Sequence, residues 1–202
     1  MSINNWNQQR VLKKQSDLVL YNLQEDIKKS QNELHKATEF LKSRIDKRLN
    51  YLNTNKNNLS DSLKIKEISS MAFFYTESVK LPIVESELGT NKKIFQWPEL
   101  TERMQNVYES IAYYNKGIEY IENDMHSNVL PYLVKKGVII DIMISDGILN
   151  QATYLNADVY NSEEFRNVMA SSTLMTYSLL KAAQNILDDY EELLIIIRKE
   201  LE

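Results

Sequence analysis

The chain has 202 residues, of which 43% are hydrophobic and 26% charged, with four Gly, three Pro and no Cys. This is the composition of a folded chain, long enough to bury a core without disulfide or metal staples, and the lack of cysteine excludes disulfides, thiolate metal sites, iron–sulfur ligation and thiol nucleophiles. The net charge of −4 covers an asymmetry: residues 1–80 carry 14 Lys/Arg against 9 Asp/Glu, a balance of +5, and residues 81–202 carry 10 against 19, a balance of −9.

The basic residues of the first half are interleaved with acids, so packing of the two halves on each other is expected ahead of a nucleic-acid or anionic-lipid arm. So few Gly and Pro leave few turns, and Leu, Ile, Lys, Glu, Gln and Asn dominate, which points to long helices.

The first helix is predicted from about residue 7 to 53. Leu20, Ile27, Leu34 and Leu41 recur every seven residues, Leu23 and Ala37 lie between them, and Ser30 is the polar member. The pattern then steps through Ile45, Leu49 and Leu52, a stutter in an otherwise regular seam. A helix of this length would run roughly 70 Å, which predicts an elongated molecule. "NTNKNN" (53–58) reads as a break. A second helix is expected over 59–80, ended by Pro82. "PIVESEL" followed by "GTN" and "KKIFQW" allows a short β-hairpin near 82–97.

Pro98 suits the first position of a third helix, predicted to reach about Ser127. Pro131 is expected to open a fourth that runs to about Leu155. "NADVYNSEE" reads as a linker in which Asn161 and Glu164 form a capping box. The last helix carries Phe165, Val168, Ser172, Met175, Leu179, Ala182, Ile186, Tyr190, Leu193 and Ile197 at spacings of three and four. The two terminal seams are expected to pack on each other.

The fourth helix contains "KKGVIIDIMISDGILN". The window Val129–Leu149 is 21 residues, long enough to span a bilayer. Its twelve strongly apolar residues gain about 5 kcal/mol, and acids at its centre cost roughly 2.5–3.5 kcal/mol each. Asp141 and Asp146 therefore cancel the gain. Gly137, Asp141 and Ser145 form a narrow polar strip with Asp146 beside it. Val138, Ile139, Ile140, Ile142, Met143, Ile144, Ile148 and Leu149 cover the rest. This is the pattern of a central helix in a soluble bundle. The alternative is a concealed membrane-active helix, 137–149, that inserts after oligomerisation with the polar strip lining a pore.

No specific catalytic motif is present. The phosphate-cradling glycine loops, the G-x-S-x-G elbow and His-Glu-x-x-His are missing. Glu119, Glu122 and His126 share a helix face, but a solvated stripe explains them without a metal. The paired acids Asp188–Asp189 and Glu191–Glu192 read as the solvated face of the last helix. The twelve tyrosines read as core and interface residues, since no basic groove is interleaved with them. In outline the layout resembles helical pore-forming toxins that bear a β-tongue, a likeness of architecture that transfers no residues.

The expected fold is all-α: an elongated bundle of about five helices in which the N- and C-terminal helices form a coiled-coil-like stalk. It forms one domain, divided into a basic helical hairpin arm (1–80), a loop or hairpin (81–97) and an acidic three-helix part (98–202). The expected function is non-enzymatic: a structural or protein–protein interaction protein with an interaction seam of Leu20, Ile27, Leu34, Leu41, Met175, Leu179, Ile186 and Leu193. The alternative is a membrane-active component working through 137–149. No cofactor, metal or small-molecule substrate is expected, and a protein partner or self-association is favoured over nucleic acid. "MSINNWNQQRVLKKQ" has no apolar leader region, so a cytoplasmic location is the default, with leaderless secretion as the other route.

Overall fold

The structure, a computed structural model, describes residues 3–53, 97–139 and 157–202. All regular structure among the described residues is helical. The first helix, α1, spans Ile3–Asn53 without interruption. Its sequence holds neither Gly nor Pro, so nothing stops propagation of the backbone ladder. The second, α2, spans Pro98–Asp124. The Trp97 carbonyl accepts both the Thr101 N–H and the Thr101 hydroxyl, each at 2.9 Å, which ties down the first turn. The hairpin expected near 82–97 lies outside the described residues but for Trp97.

The expected boundary at Pro131 is not one. After α2 the backbone widens into a π-helical turn, Met125–Val129, in which the Leu130 N–H donates to the Met125 carbonyl, and then continues as α3, Leu130–Lys135. Proline lacks an N–H, and its ring collides with the carbonyl four residues back, here that of Ser127. A widened turn just before Pro131 accommodates both defects, so the helix passes through the proline. The actual stop lies at Gly137, which adopts φ 74° and donates its N–H to the Val134 carbonyl at 3.1 Å. This left-handed residue is the kind of position glycine occupies just past a helix end. The backbone turns helical again at Val138 and Ile139. The helix expected from Pro131 through the apolar stretch is therefore broken at Gly137, and residues 140–149 lie outside the described residues.

Two further helices follow, α4 (Ala157–Asn161) and α5 (Glu163–Leu201). Ser162, not Asn161, caps α5. Its hydroxyl accepts the Phe165 N–H at 3.2 Å and donates to the Val159 carbonyl at 2.6 Å. Asn161 Oδ1 is buried without a hydrogen-bond partner. Glu163 and Glu164 in the first turn of α5, and Arg198 and Lys199 in the last, match the helix dipole.

The fold resolves into two compact units, each built from distant stretches of chain. Among the described residues the first holds 3–36, 97–115 and 182–202, and the second holds 37–53, 116–139 and 157–181. In the first unit Leu20, Leu23, Ile27 and Leu34 of α1 are buried together with Leu100, Met104, Val107, Ile111 and Tyr114 of α2. The third wall is Ile186, Tyr190, Leu193 and Ile197 of α5. Each fully buried aliphatic side chain contributes about 1.5–3 kcal/mol. Ser30, the polar member of the α1 seam, meets the Tyr190 hydroxyl at 2.8 Å, so the buried hydroxyls satisfy each other. In the second unit Tyr51, Met125, Val129, Leu133, Val138, Tyr160, Phe165 and Met169 form one apolar cluster.

Candidate functional site

The expected interaction seam is mostly interior. Leu20, Ile27, Leu34, Ile186 and Leu193 are buried in the first unit, and Leu41 and Leu179 in the second, where Met175 is half-buried. Within the second unit the inner face of α5 runs through Phe165, Met169, Ser172, Thr176 and Leu180, one residue beyond the expected Val168 and Met175.

The reason is Arg48. The spacing of seven that places Leu20, Ile27, Leu34 and Leu41 continues to Arg48, which is 0% exposed, whereas Leu49 faces outward. The expected stutter onto Leu49 does not occur. The Arg48 guanidinium donates to the Thr176 hydroxyl at 2.9 Å and to the Ser172 carbonyl at 3.3 Å. Thr176 in turn donates to the Ser172 carbonyl at 2.7 Å. The polar residues Ser172 and Thr176 thus occupy the inner face of α5 opposite the arginine. Burial lowers the Arg48 pKa to about 10, and the like charge of Arg44 adds to the effect. Burial also lowers that of Arg44, whose guanidinium carbon lies 5.1 Å from the Phe40 ring centroid. Both remain cations at neutral pH.

Next to this layer cations alternate with aromatic rings. Arg166 lies over the Tyr51 ring, 5.4 Å from its centroid, and donates to the Leu52 carbonyl. Tyr51 and Tyr160 each pack edge-on against Phe165, and the Tyr51 hydroxyl donates to the Tyr160 carbonyl at 2.6 Å. Burial raises the Tyr51 pKa to about 12, against the opposing pull of Arg166. The Tyr132 hydroxyl is buried without a hydrogen-bond partner. Lys136 sits over the Tyr132 ring and pairs with Glu164 at 2.7 Å, which raises the Lys136 pKa and lowers that of Glu164. The shifts of Tyr51, Lys136 and Glu164 each move away from neutrality, the opposite of the tuning a general acid or base requires. Chemically this region is a cation-bearing layer that sets which side chains of α1 and α5 face each other.

Glu119, Glu122 and His126 are all exposed, and among the described residues no three His, Asp or Glu side chains are grouped to hold a metal ion. Of the apolar stretch 138–149, Val138 is buried and Ile139 half-buried, while Ile140, Asp141, Ile142, Met143, Ile144, Asp146, Ile148 and Leu149 lie outside the described residues. Among the described residues no helix is long and apolar enough to cross a membrane.

The outward helix faces carry a second apolar pattern, absent from the expected seam. Val11, Leu18 and Tyr21 are 54%, 60% and 54% exposed, and their spacings of seven and three put them on one side of α1. At 100° per residue that side is opposite the buried Leu20 and Ile27. The residues described from Gln8 to Gln15 are all exposed, Leu12 on the inner side among them, and so is Trp6, so the start of α1 adds nothing to the core and is apolar on more than one side. Tyr113 and Tyr120 of α2, also seven apart, are exposed too. The same period that marks the inner seam marks these stripes; the stronger inner repeat masks them. Comparison with models of protein families, with curated proteins and with solved structures finds no match to this chain.

Proposed function

We propose that this chain is a non-enzymatic structural or interaction protein that assembles with protein partners, its own copies included, through long amphipathic helices. In this reading α1 and α5 form a coiled-coil-like pair, and their outward faces make the contacts. One observation carries it: the inner apolar stripe of α1 is filled by the chain from Leu20 onward, while Trp6, Val11, Leu12, Leu18 and Tyr21 nearer its start are left exposed. Single exposed apolar residues are ordinary on any protein. Five within one stretch of a helix, two of them (Leu18 and Tyr21) on the side away from the core, are the arrangement of a helix that receives a second neighbour. Tyrosine suits such a face, because it supplies contact area with a polar tip.

The test is Leu18→Asp, with circular dichroism as the control for folding. A charge in a desolvated contact costs several kcal/mol, so the variant should keep its helical signal and run at a lower mass in light scattering than the parent. Unchanged mass at equal concentration would remove the outer stripe from the interface.

A further inference from the structure

We propose that α3 is a lid: it lifts from the apolar cluster of the second unit as one piece while the helices around it stay folded. Its hold is slight. Of its six residues Leu133 alone is fully buried; Leu130 and Tyr132 are half-buried, and Pro131, Val134 and Lys135 face water. The Tyr132 ring lies tilted against Phe165, with centroids 6.5 Å apart. Just past the end of α3, Lys136 pairs with Glu164 of α5 at 2.7 Å. Both partners reach water, so this latch is weak and screened by salt.

An unmet cost stands against this hold. Among the described residues two buried side-chain atoms lack a hydrogen-bond partner, and both belong to the second unit. One is the Tyr132 hydroxyl on α3. The other is Asn161 Oδ1 at the end of α4, beside Tyr160, which packs on the same Phe165 ring. The buried polar layers elsewhere are paired, Arg48 with Thr176 and Ser30 with Tyr190. A hydroxyl shut away unpaired gives up its bonds to water with nothing in exchange. Lifting α3 returns the Tyr132 hydroxyl to water, so the side chain whose ring helps close the lid also favours its opening.

The backbone supplies a joint at each end. On one side is the π-helical turn Met125–Val129, where the regular ladder is interrupted. On the other, Gly137 at φ 74° ends the helix. Element ends of this kind absorb a change of chain direction. α3 is a short rod between two joints, and lifting it uncovers the Phe165 ring, on which Tyr51 and Tyr160 stay packed edge-on. The motion belongs to one chain, whatever its state of assembly.

Hydrogen exchange of the 202-residue chain, followed by mass spectrometry at several urea concentrations below its unfolding midpoint, tests this. The amides of residues 132–137 should exchange roughly tenfold faster, or more, than those of 169–180 on α5. They should exchange together, at a rate that rises with urea, because opening exposes surface. Tyr132→Phe removes the unpaired hydroxyl and should slow them about tenfold. Glu164→Gln undoes the latch and should quicken them about two- to fivefold. Neither variant should change exchange at 186–197 in the first unit. Exchange that Tyr132→Phe leaves unchanged or quickens would show that the hydroxyl carries no such cost and overturns the proposal. Exchange of 132–137 that ignores urea is fraying of single bonds, and exchange that keeps pace with 169–180 is unfolding of the whole unit; either result overturns the lid.

Discussion

Arg48 stands at a position where the heptad of α1 otherwise carries Leu or Ile. Its cation is held in a buried layer by the Thr176 hydroxyl and the Ser172 carbonyl, and burial penalises it. Arg48→Met keeps most of the volume and removes that penalty, while Thr176 retains its bond to Ser172. The variant should be neutral to about 2 kcal/mol more stable in urea denaturation. Arg48→Ala should lose about 2–4 kcal/mol through the cavity. Equal losses in both would mean that the guanidinium's bonds, not its bulk, hold the layer. Tyr51 behaves oppositely at high pH. Folding favours its neutral form, so its contribution is intact below pH 10, its ordinary value, and is lost as pH rises through about 12. Burial penalises the Arg48 cation throughout, since a guanidinium keeps its proton. Burial also raises Tyr190. Near-ultraviolet absorbance should therefore show Tyr51 and Tyr190 ionising only together with loss of helix, a late phase that Tyr51→Phe and Tyr190→Phe each reduce. Ionisation of both near the ordinary tyrosine value with the helices intact would contradict their placement.

At the scale of the helices, register depends on where polar groups meet. Ser30 and Tyr190 are 160 positions apart and meet at 2.8 Å inside the first unit. Removing either hydroxyl leaves the other buried and unsatisfied, at a cost of about 1–2 kcal/mol. The pair Ser30→Ala with Tyr190→Phe should cost less than the sum of the two, with a coupling of about 1 kcal/mol in a double-mutant cycle. Strict additivity would mean that the bond is replaced by water in the single variants. Much of this level is legible in the sequence. The all-helical class follows from composition, and the inner seam from Leu20 to Leu41 and from Ile186 to Ile197 follows from its period. The departures share a cause: average residue preferences mislead at particular positions. Arginine is rarely buried, which favours Leu49 for the seam, although the seven-residue repeat points to Arg48. Proline favours a helix start, but a π turn lets the helix continue through Pro131. Gly137 fits a polar strip by spacing, yet its freedom at positive φ ends α3. Glu164 makes Asn161 the better cap by pattern, yet it is Ser162 that reaches the Phe165 N–H.

Among the described residues of the whole molecule, the inner face of α1 from Leu20 onward and those of α2 and α5 are buried, and Trp6, Val11, Leu12, Leu18 and Tyr21 of α1 remain exposed. Burying Val11, Leu18 and Tyr21 in a contact would remove apolar surface from water at roughly 25 cal/mol per Å². Part of that gain offsets the freedom lost on association. Such a contact should be modest in strength and sensitive to single substitutions. The most direct test of the central claim is light scattering coupled to size exclusion on the 202-residue chain, with and without liposomes. The assembly reading predicts a defined mass above that of one chain, rising with concentration, the same whether or not lipid is present, and reduced by Leu18→Asp. A chain that remains a monomer in buffer and becomes a large lipid-bound species would contradict it and make the apolar stretch from Val138 to Leu149 the working part.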